Sequence, residues 1–344
     1  MERTTFSEKF MEDLKKQLEQ SGEKYLVSTN EVQKMNQSYE AITVKPENGL
    51  VGVNLNLSEI YERYEKGYDY ASILLDVTEK AKRALHDRPD FDLASLQDYD
   101  KMKEKLSMEV VSAERNAELL EKVPHKDLED MAIVYRFVLD TDVEGRGSIL
   151  ITNQLLENYG ITAEQLHQDA MEFAPVMRPA VIKTMTETLL EMLGPEAKDM
   201  VPYIPEDPIF VATVPDKVQG AGVIAYQDFM DKAAERVGGD FYILPSSIHE
   251  VLLVRDDGNF NIDTLKDMVH EANSTEVAPE DILTDSVYHY DSREKVFELA
   301  EKYKERVQER PRESVIDRLE KNKKEMNTFR DAPTRTPVLG GEAL

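Results

Sequence analysis

The sequence predicts an α+β fold: mixed sheets built from repeated β-hairpin-then-helix units, helices covering the sheet faces, and a disordered C-terminal tail. Three observations lead there. Two short strands followed by helix recur three times along the 344 residues. The segments FYILP and VLLV are apolar on both faces, so they need cover on both sides and belong in the middle of a sheet. Elsewhere apolar residues recur at helical spacing.

The chain opens with Phe6, Phe10, Leu14 and Leu18 at four-residue intervals, one apolar stripe on a helix that Gly22 can end. Its other faces mix Glu and Lys, which suits a helix docked on a domain rather than one lying on a membrane. In the first unit, AITVKPENGLVGVNLNL gives two strands around Pro46-Glu47-Asn48-Gly49; Ser58 caps EIYERYEKG, and Asp69 opens a helix through Leu85. HDRPDFD at 86–92, where Pro89 stops the helix, separates an N-terminal domain, 1–92, from a larger one, 93–303. In the second unit, IVYRFVLDTDVEGRGSILIT turns at Glu144-Gly145-Arg146-Gly147, Thr152 caps NQLLENYG, and Thr162 with Gln165 forms a capping box. Pro195, Pro202, Pro205 and Pro208 then predict an extended connection over 195–208.

The third unit is GGDFYILPSSIHEVLLV, with strands at 240–244 and 249–254 joined by a tight turn through Ser246 and Ser247. After Asp256-Asp257-Gly258 a single helix runs from Ile262 to Ala272. Residue identity between the three units is slight, so their common order fits either duplication or ordinary α+β construction. Residues 304–344 are dense in charge, poor in large apolar side chains and rich in Pro and Gly at the end, which predicts disorder with a marginal helix at 312–328.

Composition excludes several functions. No cysteine is present, which removes disulfides, thiolate catalysis and iron–sulfur ligation together and points to the cytoplasm. Met1 is followed by Glu2 and Arg3, with no apolar stretch suited to a signal peptide or a bilayer span. The net charge is −26, and it is uneven: up to residue 300 there are 31 basic against 59 acidic residues, or −28. Such a body repels phosphate, so direct binding to nucleic acid or to a membrane is not expected, whereas a basic protein partner is suited to it.

The candidate chemistry is sparse. Ser246, Ser247 and His249 lie together, but no G-x-S-x-G elbow presents a nucleophile, and Leu253 stands where a HExxH zinc site needs its second histidine. The serines suit a turn in which short hydroxyls bond local backbone. In VYHYDS, alternation puts Tyr288 and Tyr290 on one strand face and His289 with Asp291 on the other; that pair suits either acid–base work or a polar sheet edge. His167 flanks the helical stripe of Leu166, Ala170 and Phe173. Gly220 and Gly222 lack the third glycine of a dinucleotide fingerprint and suggest the start of a strand, and no GxxxxGK[ST] occurs. With 68 carboxylates, acidic pairs arise by accident and point to nothing. No cofactor and no metal site is expected.

The segments EKVPHKDLEDMAIVYRFVL, VATVPDKVQGAGVIAYQDFMDKAAERVGGDFYILPSSIHEVLLV and APEDILTDSVYHYDS resemble an uncharacterised bacterial family, domain of unknown function 5688, over most of the chain to about residue 300. GSILITNQLLENYGITAEQLHQDAMEF is more loosely similar to the family numbered 1444. The resemblance implies a bacterial cytoplasmic protein associated with mobile elements and brings no catalytic residues. The sequence therefore suggests a non-catalytic binding or regulatory accessory protein. Its alternatives are an enzyme using His249 or His289, and an acidic mimic of nucleic acid.

Overall fold

The computed structural model describes residues 2–34, 36–47, 52–86, 95–142, 145–194 and 207–309. The stretches 87–94, 195–206 and 310–344 lie outside the described residues, and with them the boundary at 86–92, most of the proline-rich connection and most of the tail. Residues 1–300 form one compact unit and residues from 301 a second.

The first elements are α1 (Arg3–Leu18), β1 (Tyr25–Lys34), β2 (Gln37–Pro46), β3 (Val53–Asn56), α2 (Leu57–Glu65) and α3 (Tyr70–His86). The α1 stripe behaves as its spacing demands, with Phe6, Phe10, Leu14 and Leu18 fully buried, and Gly22 beyond it adopts φ 90°. These side chains pack with Ile42 and Val44 of β2, Leu57 and Ile60 of α2, and Ile73 and Val77 of α3. Three helices therefore share one core with the sheet β1-β2-β3. The cap of α2 is Asn56, whose side chain accepts from Glu59 N, and not Ser58. Position 58 is already inside the helix.

Next come α4 (Tyr99–Met102), β4 (Leu106–Ser112), α5 (Ala117–Leu120), β5 (His125–Leu128), β6 (Met131–Asp142), β7 (Gly145–Leu150), α6 (Asn153–Tyr159) and α7 (Ala163–Met177). In this sheet β6 pairs with β4, β5 and β7. Thr152 caps α6 through Leu155 N as expected. Thr162 accepts from Gln165 N at the start of α7. A full reciprocal capping box occurs one helix later, between Thr184 and Glu187.

The remaining elements are β8 (Val181–Thr184), α8 (Met185–Leu193), β9 (Ile209–Thr213), α9 (Phe229–Val237), β10 (Phe241–Leu244), β11 (Val251–Arg255), α10 (Ile262–Thr275), β12 (Tyr288–Asp291), β13 (Val296–Leu299) and α11 (Ala300–Glu309). Six strands form one sheet in the order β13-β12-β10-β11-β9-β8. The doubly apolar strands β10 and β11 take its centre, as their composition requires. Alternation along them separates two cores: Phe241, Ile243, Val251 and Leu253 face the large cluster shared with β6 and α7, while Tyr242, Leu244 and Val254 pack with Leu265 and Val269 of α10.

Every strand pairing among the described residues is antiparallel, so the α+β class holds with antiparallel rather than mixed sheets. Two local expectations change. Residues 245–250 form a six-residue link between β10 and β11 rather than a tight turn. Gly220–Ala225 is a 3₁₀ helix rather than the start of a strand. No helix among the described residues is long and apolar enough to cross a membrane.

Candidate functional site

The link 245–250 is shaped by a second segment lying beside it. Ile248 N donates to Asp281 O (2.9 Å) and Leu283 N to Ser246 O (3.0 Å), with Ser247 opposite Ile282 in an isolated bridge. The Ser247 hydroxyl accepts from His249 N at 3.0 Å, the local backbone bond its position suggests. Neither serine is presented to a base.

His249 is a tie. Its Nδ1 accepts from Gln219 N at 3.1 Å, and its Nε2 lies 3.3 Å from Asp281 Oδ1. A ring nitrogen that accepts a backbone N–H carries no proton, which leaves Nε2 as the nitrogen that can donate, facing the carboxylate. Both nitrogens are thus committed within the protein. The His249 carbonyl accepts further bonds from Gly220 N (3.0 Å) and the Thr213 hydroxyl (2.8 Å).

These bonds fix the loop from Pro215 to Gly220. Lys217 and Gln219 sit at φ 55° and 52°, left-handed values that side chains other than Gly, Asn and Asp seldom adopt. Arg178, only 5% exposed, secures the loop from beneath: it donates to Asp216 Oδ1 at 2.7 Å and to the Val218 carbonyl. Asp216 Oδ1 accepts in turn from Val218 N at 3.2 Å. Gly220 and Gly222 are required by space: a Cβ would come within 2.1 Å of Thr213 Oγ1 at the first and 2.3 Å of the Met108 carbonyl at the second.

The loop walls a half-open cleft of about 400 Å³ at the end of the six-stranded sheet. Val181 of β8, opposite Thr213, and Val211 of β9, opposite Lys183, line it, together with Val214 and Met192 of α8. Charge gathers at the mouth. Lys183 Nζ lies 2.6 Å from Glu191 and Lys217 Nζ 3.9 Å from the same carboxylate, and Glu250 also lines the cleft. The Lys183 bond, followed by the charges of Lys183 and Lys217, holds the Glu191 carboxyl below its ordinary value. The lining hydroxyls are occupied: Thr213 donates to His249 O and Thr188 to Thr184 O. Met192, one of the lining residues, is 71% exposed, and Leu193 after it in α8 is 60% exposed.

The second candidate lies elsewhere. β12 is inside the sheet, between β13 and β10, so His289 and Asp291 do not form the polar edge that their composition suggests. His289 is 0% exposed and Asp291 6%. His289 Nε2 meets Asp256 Oδ2 at 3.1 Å, its ring edge-on to Tyr242 at 4.9 Å. Asp291 Oδ1 accepts from Arg293 N and Glu294 N, shaping the turn into β13. Neither can touch a substrate from there. His167 bonds the Tyr135 hydroxyl through Nδ1 and Lys126 through Nε2. Burial, then the Lys126 charge, lowers its pKa.

Sequence reasoning thus found the segment that braces the cleft but missed the cleft. Lys183, Glu191 and Lys217 carry no spacing that distinguishes them among so many charges, and α8 reaches them only through the fold. No group of three or more histidine, aspartate or glutamate side chains suited to a metal ion occurs among the described residues.

Comparison with family models matches residues 3–292 to a family of unknown function, DUF5688. The looser likeness of residues 147–173 to the family numbered 1444 finds no support there. No curated protein and no solved structure matches the chain.

Proposed function

The chain belongs to the DUF5688 family, which brings no activity with it, and from that premise we propose that it acts by binding, as a non-catalytic accessory or regulatory factor of the bacterial cytoplasm. The supporting observation is the division of labour around residues 245–250. His249, next to the lining residue Glu250, is used to brace the cleft's loop, and the lining hydroxyls of Thr188 and Thr213 are bonded to carbonyls. The two candidate histidines each face an aspartate, His249 meeting Asp281 and His289 meeting Asp256. What the cleft does present is apolar surface ringed by paired charge, the character of a binding site. We propose further that the chain has a protein partner, the acidic body outside the cleft favouring a basic one over nucleic acid or membrane. We propose an association with mobile elements as part of the same reading.

Capture of the full-length chain from its native host tests this reading with two variants. Met192→Asp places a charge in the mouth of the cleft and is expected to abolish retention of the partner that the wild type retains. His249→Gln preserves a backbone acceptor at the brace and is expected to keep both partner and phenotype. If His249→Gln melts like the wild type, still captures the partner and nevertheless loses the phenotype, the protein is an enzyme and the proposal fails.

A further inference from the structure

Resting on the reading that the chain binds through the cleft beside β8, we infer that the cleft takes a small monocarboxylate amphiphile, its head between Lys183 and Lys217 and its alkyl body on Val181, Val211, Val214 and Met192. Size permits it: about 400 Å³ lies within the roughly 300–1,000 Å³ of small-ligand sites. The lining includes valine on two neighbouring strands, which offers a tail dispersion contact and no hydrogen bond.

The head is specified by charge. Lys183 and Lys217 converge on one carboxylate, that of Glu191, at 2.6 and 3.9 Å. Glu191 stands on an exposed helix with its side chain 47% accessible, so it can swing out and leave two ammonium groups to an incoming carboxylate. In a chain of net charge −26, an anion finds few places where the local field is favourable. Phosphate esters fit poorly, because Glu250 shares the lining and no arginine fork is present in it.

The backbone supplies the independent argument. A left-handed lysine costs roughly 1–2 kcal/mol, and the molecule stabilises that conformation with Arg178, Asp216 and His249. Lys295 shares φ 55° in the turn into β13; Lys217 differs from it in lining the cleft. Held in this way, Lys217 presents its ammonium to the cleft before any ligand arrives, so little ordering remains to be done on binding.

Octanoate, octanol and octylamine are the probes, each titrated calorimetrically into the full chain at low salt. Octanoate is expected to bind about tenfold or more tighter than octanol, with octylamine no better than octanol. Lys217→Gly, which accepts φ 55° without strain, is expected to weaken octanoate by about tenfold and leave octanol unchanged. Glu191→Gln is expected to tighten octanoate by freeing both lysines, an effect no merely structural role for Glu191 produces. Equal binding of octanol and octanoate, indifference of octanoate to Lys217→Gly, or binding of none of the probes would overturn the inference. If no probe binds while partner capture still depends on Met192, only the ligand assignment falls; if capture is also lost, the binding reading falls with it.

Discussion

Gly220 and Gln219 are neighbours whose demands are opposite. Gly220 has no space for a Cβ, the nearest atoms being Thr213 Oγ1 at 2.1 Å and the His249 carbonyl at 2.5 Å. Gln219 has space but sits at φ 52°. Gly220→Ala must therefore push β9 away from the 249 carbonyl, and we expect it to destabilise the fold by about 1–3 kcal/mol, as overpacking does. Gln219→Gly relieves the left-handed strain, and we expect its stability in urea to equal or exceed the wild type by up to about 1 kcal/mol, loop entropy in the unfolded chain offsetting part of the gain. If Gly220→Ala is neutral, the close packing of the loop on β9 is not what holds it. The sequence marked Gly220 and Gly222 as a pair without revealing why, because a glycine chosen for space looks the same as one chosen for phosphate or for a turn. Lys217 and Gln219 gave no sign at all, since neither residue type favours positive φ.

Elements with strong periodicity were legible, and their exact ends were not. The α1 stripe places all four of its apolar side chains in the core, and β10 with β11 occupies the sheet centre because both faces of each are apolar. β1 escaped notice because YLVSTNEVQK alternates weakly and is mostly polar. What makes it a strand is pairing with β2 through ten successive positions, from Tyr25 opposite Pro46 to Lys34 opposite Gln37. β12 misled in another way: histidine and aspartate suggest an edge, yet Asp256 meets the buried imidazole and lets the strand lie inside. The cap of α2 shows how small the error at a helix end can be. Asn56 and Ser58 are both good capping residues, and only the first has the extended φ and ψ and the bond to Glu59 N. Asn56→Ala is therefore expected to cost about 1 kcal/mol in thermal or urea unfolding, and Ser58→Ala, whose hydroxyl only accepts from Arg3 on the surface, close to nothing. Thr184→Ala removes the bond its hydroxyl accepts from Glu187 N, while the backbone N–H of residue 184 still donates to Glu187, and is expected to cost about the same as Asn56→Ala. Equal losses at 56 and 58 would mean that the cap has been placed wrongly.

At the scale of the molecule, connections between distant segments decide the architecture, and these are what a one-dimensional pattern conceals. Asn36, beyond β1, exchanges hydrogen bonds with Asn116 and donates to the carbonyls of Glu280 and Ile282, so the first hairpin reaches the segment that braces residues 245–250. Asp130, just before β6, accepts from Thr284, Ser286 and Tyr288 and ties the four-stranded sheet to the six-stranded one. The last of these bonds belongs to a recurring pairing of tyrosine hydroxyl with aspartate: Tyr70 with Asp13, Tyr99 with Asp169 and Tyr290 with Asp231 are the others. Burial first, and then the partner carboxylate, raises the pKa of all four phenols, that of Tyr290 to about 12. Below pH 10 these groups are protonated in the folded and the unfolded chain alike, and their contribution is fully present. Above pH 10 the unfolded chain releases protons that the folded chain keeps, so stability falls as pH rises toward the folded values. Each tyrosine that retains its proton steepens the loss by about 1.4 kcal/mol per pH unit. Urea unfolding measured from pH 8 to 11 should therefore show a plateau followed by a steep alkaline decline. Tyr288→Phe should lower the plateau, because Asp130 loses a donor, and make the decline shallower by one proton, because residue 288 no longer titrates in the unfolded chain. An alkaline slope identical in Tyr288→Phe and the wild type would show that the tie between the two sheets is not carried by this hydroxyl.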